Sequence, residues 1–267
     1  MVKPTLNLAV HRLATGVTEE DTLVVEEPLE LRVGGRSLVV TMRTPGHDRE
    51  LAAGFLYAEG LIDGPDDLAA LEKVSDPADP KDNTVDVLLA SGIRADEERF
   101  ASARRALYAS SACGVCGKAT LEQVLQIAAP LQAPRRFDPA WLAELPAQLR
   151  QAQATFAATG GLHAAALFDA QGRLEVLRED IGRHNAVDKV LGWRLLQDRA
   201  PVDDAVLVIS GRLGFEIVQK ALVARVPAIV SVGAPSSLAI RLAREAGQQV
   251  VAFVRPGGGN VYSPEPT

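Results

Sequence analysis

The protein has two cysteines, and they are spaced Cys-x-x-Cys, as Cys113-Gly-Val-Cys116. The glycines beside them give the segment conformational freedom, and the neighbouring Lys118 is placed to favour a thiolate. Such a pair can form a disulfide, contribute to a metal site or carry a transferable sulfur atom. The sequence therefore concentrates the sulfur chemistry of this protein in one short segment.

Several interpretations of the pair remain open from the residues alone. Two merely structural thiols are disfavoured by the glycines and the lysine beside them. A thioredoxin-like dithiol would follow a strand and open a long helix within an early βαβ unit, and this segment does not. A zinc site needs four ligands and would have to recruit histidines such as His163 or His184, at a spacing that matches no common site. A sulfur carrier needs one exposed thiolate on a mobile loop, which the glycine-flanked segment fits.

Length and composition describe an ordinary soluble globular chain. Its 267 residues, 47% of them hydrophobic, suffice for a full core in one large or two modest domains. A net charge of -6 with scattered lysines and arginines does not fit a nucleic-acid-binding protein. We find no apolar run near the ~20 residues of a membrane span and no signal-peptide pattern at the start, so we expect a cytoplasmic protein without membrane contact.

The first half of the chain is typical of a small α+β unit that leads into the cysteine segment. We predict extended segments at 23–27 and 29–41 with a turn at Gly34-Gly35, a helix at 50–59 and a strand at 84–89. Helices at 96–108 and 121–129 are predicted on either side of the cysteines. Prolines between 130 and 146 predict a linker, which divides the chain into domains 1–130 and 131–267.

The second half alternates strands and helices. We predict strands at 162–168 and 174–177, a helix at 185–196, and then a βαβαβ unit at 205–210, 215–224, 228–232, 236–246 and 250–255. Such a unit forms a parallel sheet whose ligand site lies at the carboxyl ends of the strands. Those ends are rich in glycine, serine and arginine, and Ser210, Arg212 and Arg255 suit an anionic oxygen or a phosphate.

Two further features could belong to that site. The polar run 179–189 contains a histidine and four charged residues that could gather around a ligand at the end of the preceding strand: Asp180, Arg183, His184, Asp188 and Lys189. His163, within an otherwise apolar strand, is expected to be a core histidine with its hydrogen bonds satisfied.

Five segments together resemble the FdhD family, the formate dehydrogenase accessory sulfurtransferases. They are 44–56 (TPGHDRELAAGFL), 113–118 (CGVCGK), 181–189 (IGRHNAVDK), 210–212 (SGR), and 253–255 (FVR) with 260–262 (NVY). The resemblance implies a carrier that takes sulfur from a cysteine desulfurase and passes it to the molybdenum cofactor. That cofactor, molybdenum bis(molybdopterin guanine dinucleotide), needs the sulfur before formate dehydrogenase becomes active. The resemblance also implies that the protein is a homodimer.

The fold that the resemblance implies is α/β (α+β). A small N-terminal β-hairpin and helix domain would precede a larger, cytidine-deaminase-like three-layer α/β domain with a mixed sheet. The likeness to deaminases is expected to stop at the fold, because His163-Ala164-Ala165 lacks the catalytic glutamate and the chain has no Pro-Cys-x-x-Cys.

The resemblance also assigns roles to residues. Cys113 would be the persulfide intermediate, with Cys116 as its partner. The expected cofactor-binding residues are Phe253, Val254, Arg255, Pro256, Gly257 and Gly258, together with Ser210, Arg212 and His184, and no permanently bound metal is expected. Two departures from the family pattern, Leu213-Gly214 and the Gly257–Gly259 run, predict altered guanine or phosphate contacts. A cofactor-binding chaperone and a thiol-disulfide oxidoreductase are the alternative functions.

Overall fold

A computed structural model describes residues 3–75, 81–91, 100 and 128–265. Cys113 and Cys116 lie outside these described residues. The predicted helices at 96–108 and 121–129 lie outside them as well, apart from one residue of the first and the last two of the second.

The first half forms a two-stranded ribbon and a four-stranded sheet. The ribbon pairs β1 with β2, and the sheet has the order β4-β3-β6-β5. The bounds are β1 Thr5–His11, β2 Thr18–Val24, β3 Glu27–Val33, β4 Arg36–Arg43, β5 Leu68–Lys73 and β6 Thr84–Leu89. The predicted hairpin is confirmed, because Gly34 and Gly35 adopt the positive φ angles of 56° and 78° that suit a tight turn between β3 and β4. No prediction covered β1 or β5.

The second half forms a mixed six-stranded sheet of order β12-β11-β10-β9-β7-β8. Strands β9, β10 and β11 run parallel, and the remaining pairs are antiparallel. The bounds are β7 His163–Phe168, β8 Leu174–Asp180, β9 Val206–Ile209, β10 Ala228–Ser231, β11 Gln249–Arg255 and β12 Gly258–Ser263. The predicted βαβαβ unit is therefore confirmed, whereas no prediction covered β12.

Helices cover both faces of this sheet. Their bounds are α1 Asp48–Ala58, α2 Pro139–Leu142, α3 Leu145–Ala152, α4 Ala154–Thr159, α5 Arg183–Leu196, α6 Phe215–Val223 and α7 Ser237–Ala246. Alternate side chains of each strand enter different cores: Leu207 packs in the core shared with α5, α6 and α7, and Val208 in the core shared with α2 and α3. These three layers confirm the predicted mixed α/β fold, and the likeness to cytidine deaminases stays a prediction.

Helices α1 and α5 cross with their backbones in contact. A Cβ atom on Gly54 would lie 1.8 Å from the carbonyl oxygen of Asp188, and one on Gly192 would lie 1.9 Å from the carbonyl oxygen of Glu50. Only glycine fits at both positions. The main hydrophobic core runs through this crossing and includes residues from both halves of the chain. The domain boundary at residue 130 stays a prediction.

Candidate functional site

The loops that follow β9 and β10 are joined by hydrogen bonds at one edge of the sheet. The Gly211 carbonyl accepts from the Gly233 N–H at 3.0 Å and from the Ser231 hydroxyl at 2.8 Å. A Cβ on Gly233 would lie 2.4 Å from that carbonyl oxygen, so this approach requires glycine. Leu213 is fully buried and its N–H donates to the Ala234 carbonyl, which gives the Leu213-Gly214 departure a structural role.

Ser210 is tied to the beginning of β7. Its N–H donates to the Ala164 carbonyl at 2.9 Å, and its hydroxyl accepts from the Ala164 N–H at 2.8 Å. Because β7 runs antiparallel to β9, its first residue, His163, lies at the carboxyl end of β9. The site therefore gains a histidine that follows no strand in the sequence.

His163 is half-buried against Gly211. Its Nδ1 atom is 3.0 Å from the place where a Gly211 Cβ would be, and the Cβ atom of Arg183 is 3.8 Å from the same place. Among the residues that the structure describes, the imidazole makes no hydrogen bond. The expectation of a satisfied core histidine is therefore wrong, because the strand begins at the sheet edge and leaves its first side chain there.

The beginning of α5 adds positive charge beside His163. Arg183 is partly exposed, and its Nε atom is buried without a hydrogen-bond partner among the described residues. The Nε2 atom of His184 lies 3.1 Å from a carboxylate oxygen of Glu216, in the first turn of α6. Arg212, from the loop after β9, is exposed. Burial and these positive neighbours, first Arg183, lower the pKa of the His163 imidazole. The site is thus a cluster of cationic side chains in which protonation of His163 is disfavoured.

Strand β11 brings part of the predicted 253–258 segment to the same edge. Phe253 is 43% exposed, has the left-handed φ of 57°, and donates its N–H to the Gly233 carbonyl at 3.3 Å. An Nη1 atom of Arg255 donates to the Val232 carbonyl at 2.5 Å. The side chain of Val254 is buried in the core, so only the main chain of this residue could contact a ligand.

The remaining members of that segment form the turn between β11 and β12. Pro256 and Gly257 occupy the tip, Gly257 has a φ of 97°, and Arg255 pairs with Gly258. A positive φ after a proline is the geometry of a tight turn that needs glycine at this point. The glycines therefore have a structural reason, and their contact with a cofactor stays a prediction.

The polar run 179–189 divides into residues that lie at the strand ends and residues that are buried in the interior. Arg183 and His184 face the strand ends, as predicted. Asp180 and Lys189 are instead fully buried and paired at 2.7 Å. The prediction that the whole run surrounds a ligand is therefore wrong for these two residues and for Asp188, because they face the interior.

The Asp180 carboxylate organises the turn that leads into α5. It accepts from the N–H groups of Gly182 at 2.8 Å and Thr44 at 3.2 Å and from the Asn185 amide at 3.0 Å. Lys189 in turn donates to the Thr44 carbonyl at 2.9 Å. This network holds Arg183 and His184 in place through contacts with the first half of the chain.

A second buried cluster joins α1, α5 and α6. The Lys220 ammonium lies 2.8 Å from Glu59 and 2.9 Å from Asp188. Burial raises the pKa of Asp188 to about 6, and Lys220 offsets only part of this effect because Glu59 shares the same cation. The pKa of Lys220 is raised, since its two carboxylates outweigh the effect of burial. This cluster lies inside the protein and belongs to the core.

The side chains that the structure describes at the site suit the binding of an anion. Three arginines and two histidines line or approach the strand ends, and one exposed aromatic ring lies beside them: Arg183, Arg212, Arg255, His163, His184 and Phe253. In the described ranges, no group of three histidine, cysteine, aspartate or glutamate side chains could hold a metal ion. Within the same ranges, no helix is long and apolar enough to cross a membrane. Phosphate groups of a nucleotide-type cofactor match this arrangement.

Sequence reasoning missed His163 and Glu216 as site residues. His163 begins β7 and does not follow a strand, so the expectation that ligands bind at the carboxyl ends of strands did not include it. Glu216 stood within a predicted helix, and only its contact with His184 places it at the site. An antiparallel partner for β9 in the predicted topology would have indicated His163.

Comparison with known proteins gives a consistent result along the chain. Residues 24–266 match the model of the FdhD/NarQ family. The sulfur carrier protein FdhD of Mycolicibacterium paratuberculosis is 48% identical, over 92% of each chain, and that of Mycobacterium tuberculosis is 48% identical, over 92% of this chain and 91% of the relative.

A solved structure agrees. The crystal structure of a proposed formate dehydrogenase accessory protein from Desulfotalea psychrophila has a TM-score of 0.73 and 27% identity, and the match covers 98% of this chain and 97% of that one. The sequence matches run through the strand ends and the helix start that form the site, and through the cysteine segment between the two halves. The chain belongs to the FdhD/NarQ family.

Proposed function

We propose that this protein is a sulfur carrier that serves formate dehydrogenase. In this proposal Cys113 receives a sulfur atom from a cysteine desulfurase as a persulfide. The sulfur is then passed to molybdenum bis(molybdopterin guanine dinucleotide) before the cofactor enters formate dehydrogenase. The observation that carries the proposal is the 48% identity, over nine-tenths of both chains, to relatives named sulfur carrier protein.

The loading step is a thiol-disulfide type of exchange. The Cys113 thiolate attacks the terminal sulfur of a persulfide on the desulfurase, and a new S–S bond forms at Cys113. The S–S bond of the donor breaks, and its electron pair leaves with the donor cysteine, which then takes a proton. Lys118 supports this step by favouring the thiolate, and Cys116 is the second thiol of the segment.

The strand-end cluster supports the acceptor half of the proposal. The arginines Arg183, Arg212 and Arg255 suit the diphosphates of a guanine dinucleotide. When bound, the cofactor supplies the molybdenum centre that accepts the sulfur. The protein's own residues hold the phosphates and orient the dinucleotide at the sheet edge, near the buried network that fixes Arg183 and His184.

Phe253 supports a planar ligand at the same edge. A non-glycine residue with φ near 57° is strained, and such strain is concentrated at functional sites. The exposed ring offers a flat apolar face on which a guanine base can stack. The strain thus has an explanation in the presentation of this ring beside the arginines.

A cofactor-binding chaperone is the second candidate function. The strand-end cluster favours it equally, because binding there requires neither cysteine. A thiol-disulfide oxidoreductase has no support among the described residues. The homodimer and the cytoplasmic location implied by the resemblance stay predictions.

The experiment that tests sulfur loading is intact-protein mass spectrometry without reductant, after incubation with a cysteine desulfurase and cysteine. We expect a mass gain of one sulfur atom that peptide mapping assigns to Cys113. The gain should disappear in Cys113→Ala and persist in the matched Cys116→Ala variant. A gain that is indifferent to Cys113→Ala, or full formate dehydrogenase activity with this variant, contradicts the carrier function and favours the chaperone.

A further inference from the structure

His163 lies among charged groups without a hydrogen bond to any described residue. Its neighbours Arg183 and His184 come from the start of α5, and Arg212 comes from the loop after β9. Asp180, buried at the end of β8, is an acidic group whose charge favours protonation of the ring. A further carboxylate, that of Glu216 on α6, lies 3.1 Å from the Nε2 atom of His184. Charged groups of β8, α5 and the loop after β9 thus act on the His163 imidazole.

The negative charge of Asp180 is already matched by other groups. Its carboxylate is paired with Lys189 and accepts hydrogen bonds from two main-chain N–H groups and the Asn185 amide. On the open side, Arg183 has a buried Nε atom without a partner among the described residues, and Arg212 is exposed and forms no ion pair with any of them. The net field at the imidazole is therefore positive, and it opposes protonation of the ring.

An anion at the strand ends would reverse this balance. A diphosphate near Arg183 and Arg212 neutralises their charges and adds negative charge beside the imidazole. Protonation of His163 then becomes favourable, and the imidazolium can donate a charge-assisted hydrogen bond to a phosphate oxygen. The contact of the ring with Gly211 keeps it at the edge where such a ligand would lie.

We propose that His163 is an anion-binding residue that takes up one proton from solvent when a diphosphate-bearing ligand binds at the strand ends, and releases it when the ligand leaves. This inference rests on the cofactor site of the proposed function and is independent of the sulfur-loading step. The proton moves between water and a ring nitrogen, so no other reactant is needed.

The coupling between proton uptake and anion binding determines how the affinity for the anion changes with pH. The free protein holds the proton more weakly than the complex does, so binding takes up a proton at a pH between the two titration midpoints of His163. Affinity for the anion therefore falls as the pH rises through this window, by up to about tenfold per pH unit for one proton.

The test uses GDP as the diphosphate probe and neutral guanosine as its matched control. Nuclear magnetic resonance can follow the four imidazoles of the chain individually, with assignments from single variants. We expect the titration midpoint of His163 to move to higher pH by half a unit or more with GDP and to stay unchanged with guanosine. Calorimetry in two buffers of different ionisation enthalpy should detect proton uptake on GDP binding.

Variants separate His163 from other titrating groups. The GDP phosphate and His184 can also exchange protons on binding, and His163→Gln should remove the uptake that exceeds their contribution. The uptake should be unchanged in His11→Gln, which alters an exposed histidine on β1. An unchanged His163 midpoint in wild-type protein saturated with GDP overturns the inference and leaves the cofactor site intact. Failure of millimolar GDP to bind overturns the cofactor site and this inference together, whereas sulfur loading at Cys113 is judged separately.

Discussion

The two charged regions of helix α5 differ in whether their charges are matched. At its start, Arg183 lies at an open edge beside Arg212, which comes from the loop after β9, and more positive than negative charge surrounds them. Within the next two turns, Asp188 and Lys189 are buried and paired with charged residues of other elements. The sequence places Arg183, Asp188 and Lys189 within seven consecutive positions. Matched buried charges hold the helix in place, and the unmatched charges at its start are available to a ligand.

The difference follows from the cost of burying a charge. A buried ion pair adds little net stability, but removing one partner leaves a desolvated charge behind. A half-exposed cation is solvated in the free protein, so its removal costs little stability and mainly weakens ligand binding. Substitutions in the two regions should therefore separate stability from binding.

The largest effect is expected from Lys189→Met. This change leaves the buried Asp180 carboxylate without its cation and should lower the free energy of unfolding by about 3–5 kcal/mol, measured by urea denaturation. The matched control is Arg173→Met, which removes an exposed arginine paired with Asp169 and should cost no more than about 1 kcal/mol. Equal losses in the two variants would remove the distinction between the regions.

A second effect concerns the pH dependence of stability at Asp188. Since the folded-state pKa is raised from 3.8 to about 6, this carboxyl stabilises the fold most below pH 4 and loses that contribution as the pH rises to about 6. The difference in unfolding free energy between wild type and Asp188→Asn should therefore shift by about 3 kcal/mol across this range. A difference that is constant with pH would show that the cluster keeps Asp188 ionised.

The smallest effect on stability is expected at the open edge. Arg212→Gln should change the free energy of unfolding by less than about 0.5 kcal/mol, because the side chain is exposed. The same change should weaken GDP binding about tenfold, since a charge-assisted hydrogen bond contributes about 1.5–3 kcal/mol. Arg136→Gln, an exposed arginine that lies before α2 and outside the site, is the control and should alter neither quantity. A loss of stability without a loss of affinity would contradict the assignment of Arg212.

Much of the second half was predictable, because its pattern is local. Short β-branched runs between amphipathic segments predicted β9, β10 and β11 and their parallel order. The turn at Gly34-Gly35 and strand β6 were predictable for the same reason. The ribbon strand β1 was not predicted, although Leu6, Leu8 and Val10 alternate along it. Leu6 and Leu8 are 53% and 49% exposed, so this alternation does not mark a face of the core.

The site residues that follow β9 and β11 were predictable from the sequence, whereas His163, at the start of β7, was not. The carboxyl-end rule led to Ser210, Arg212 and Arg255. It gave no information about His163, whose position depends on the antiparallel pairing of β7 with β9. The rule also could not separate Asp180 from Arg183, because burial depends on the loop at Thr44, more than 130 residues away in the chain.

By itself, the sequence determined the paired cysteines, the alternation of strands and helices, and the motifs that indicate the family. These are properties of residue type and spacing, which act over a few turns of chain. Which charges are matched depends on the folded protein. Matching depends on distance and burial across separate elements, and these exist only once α5 has packed against α1, the Thr44 loop and the sheet.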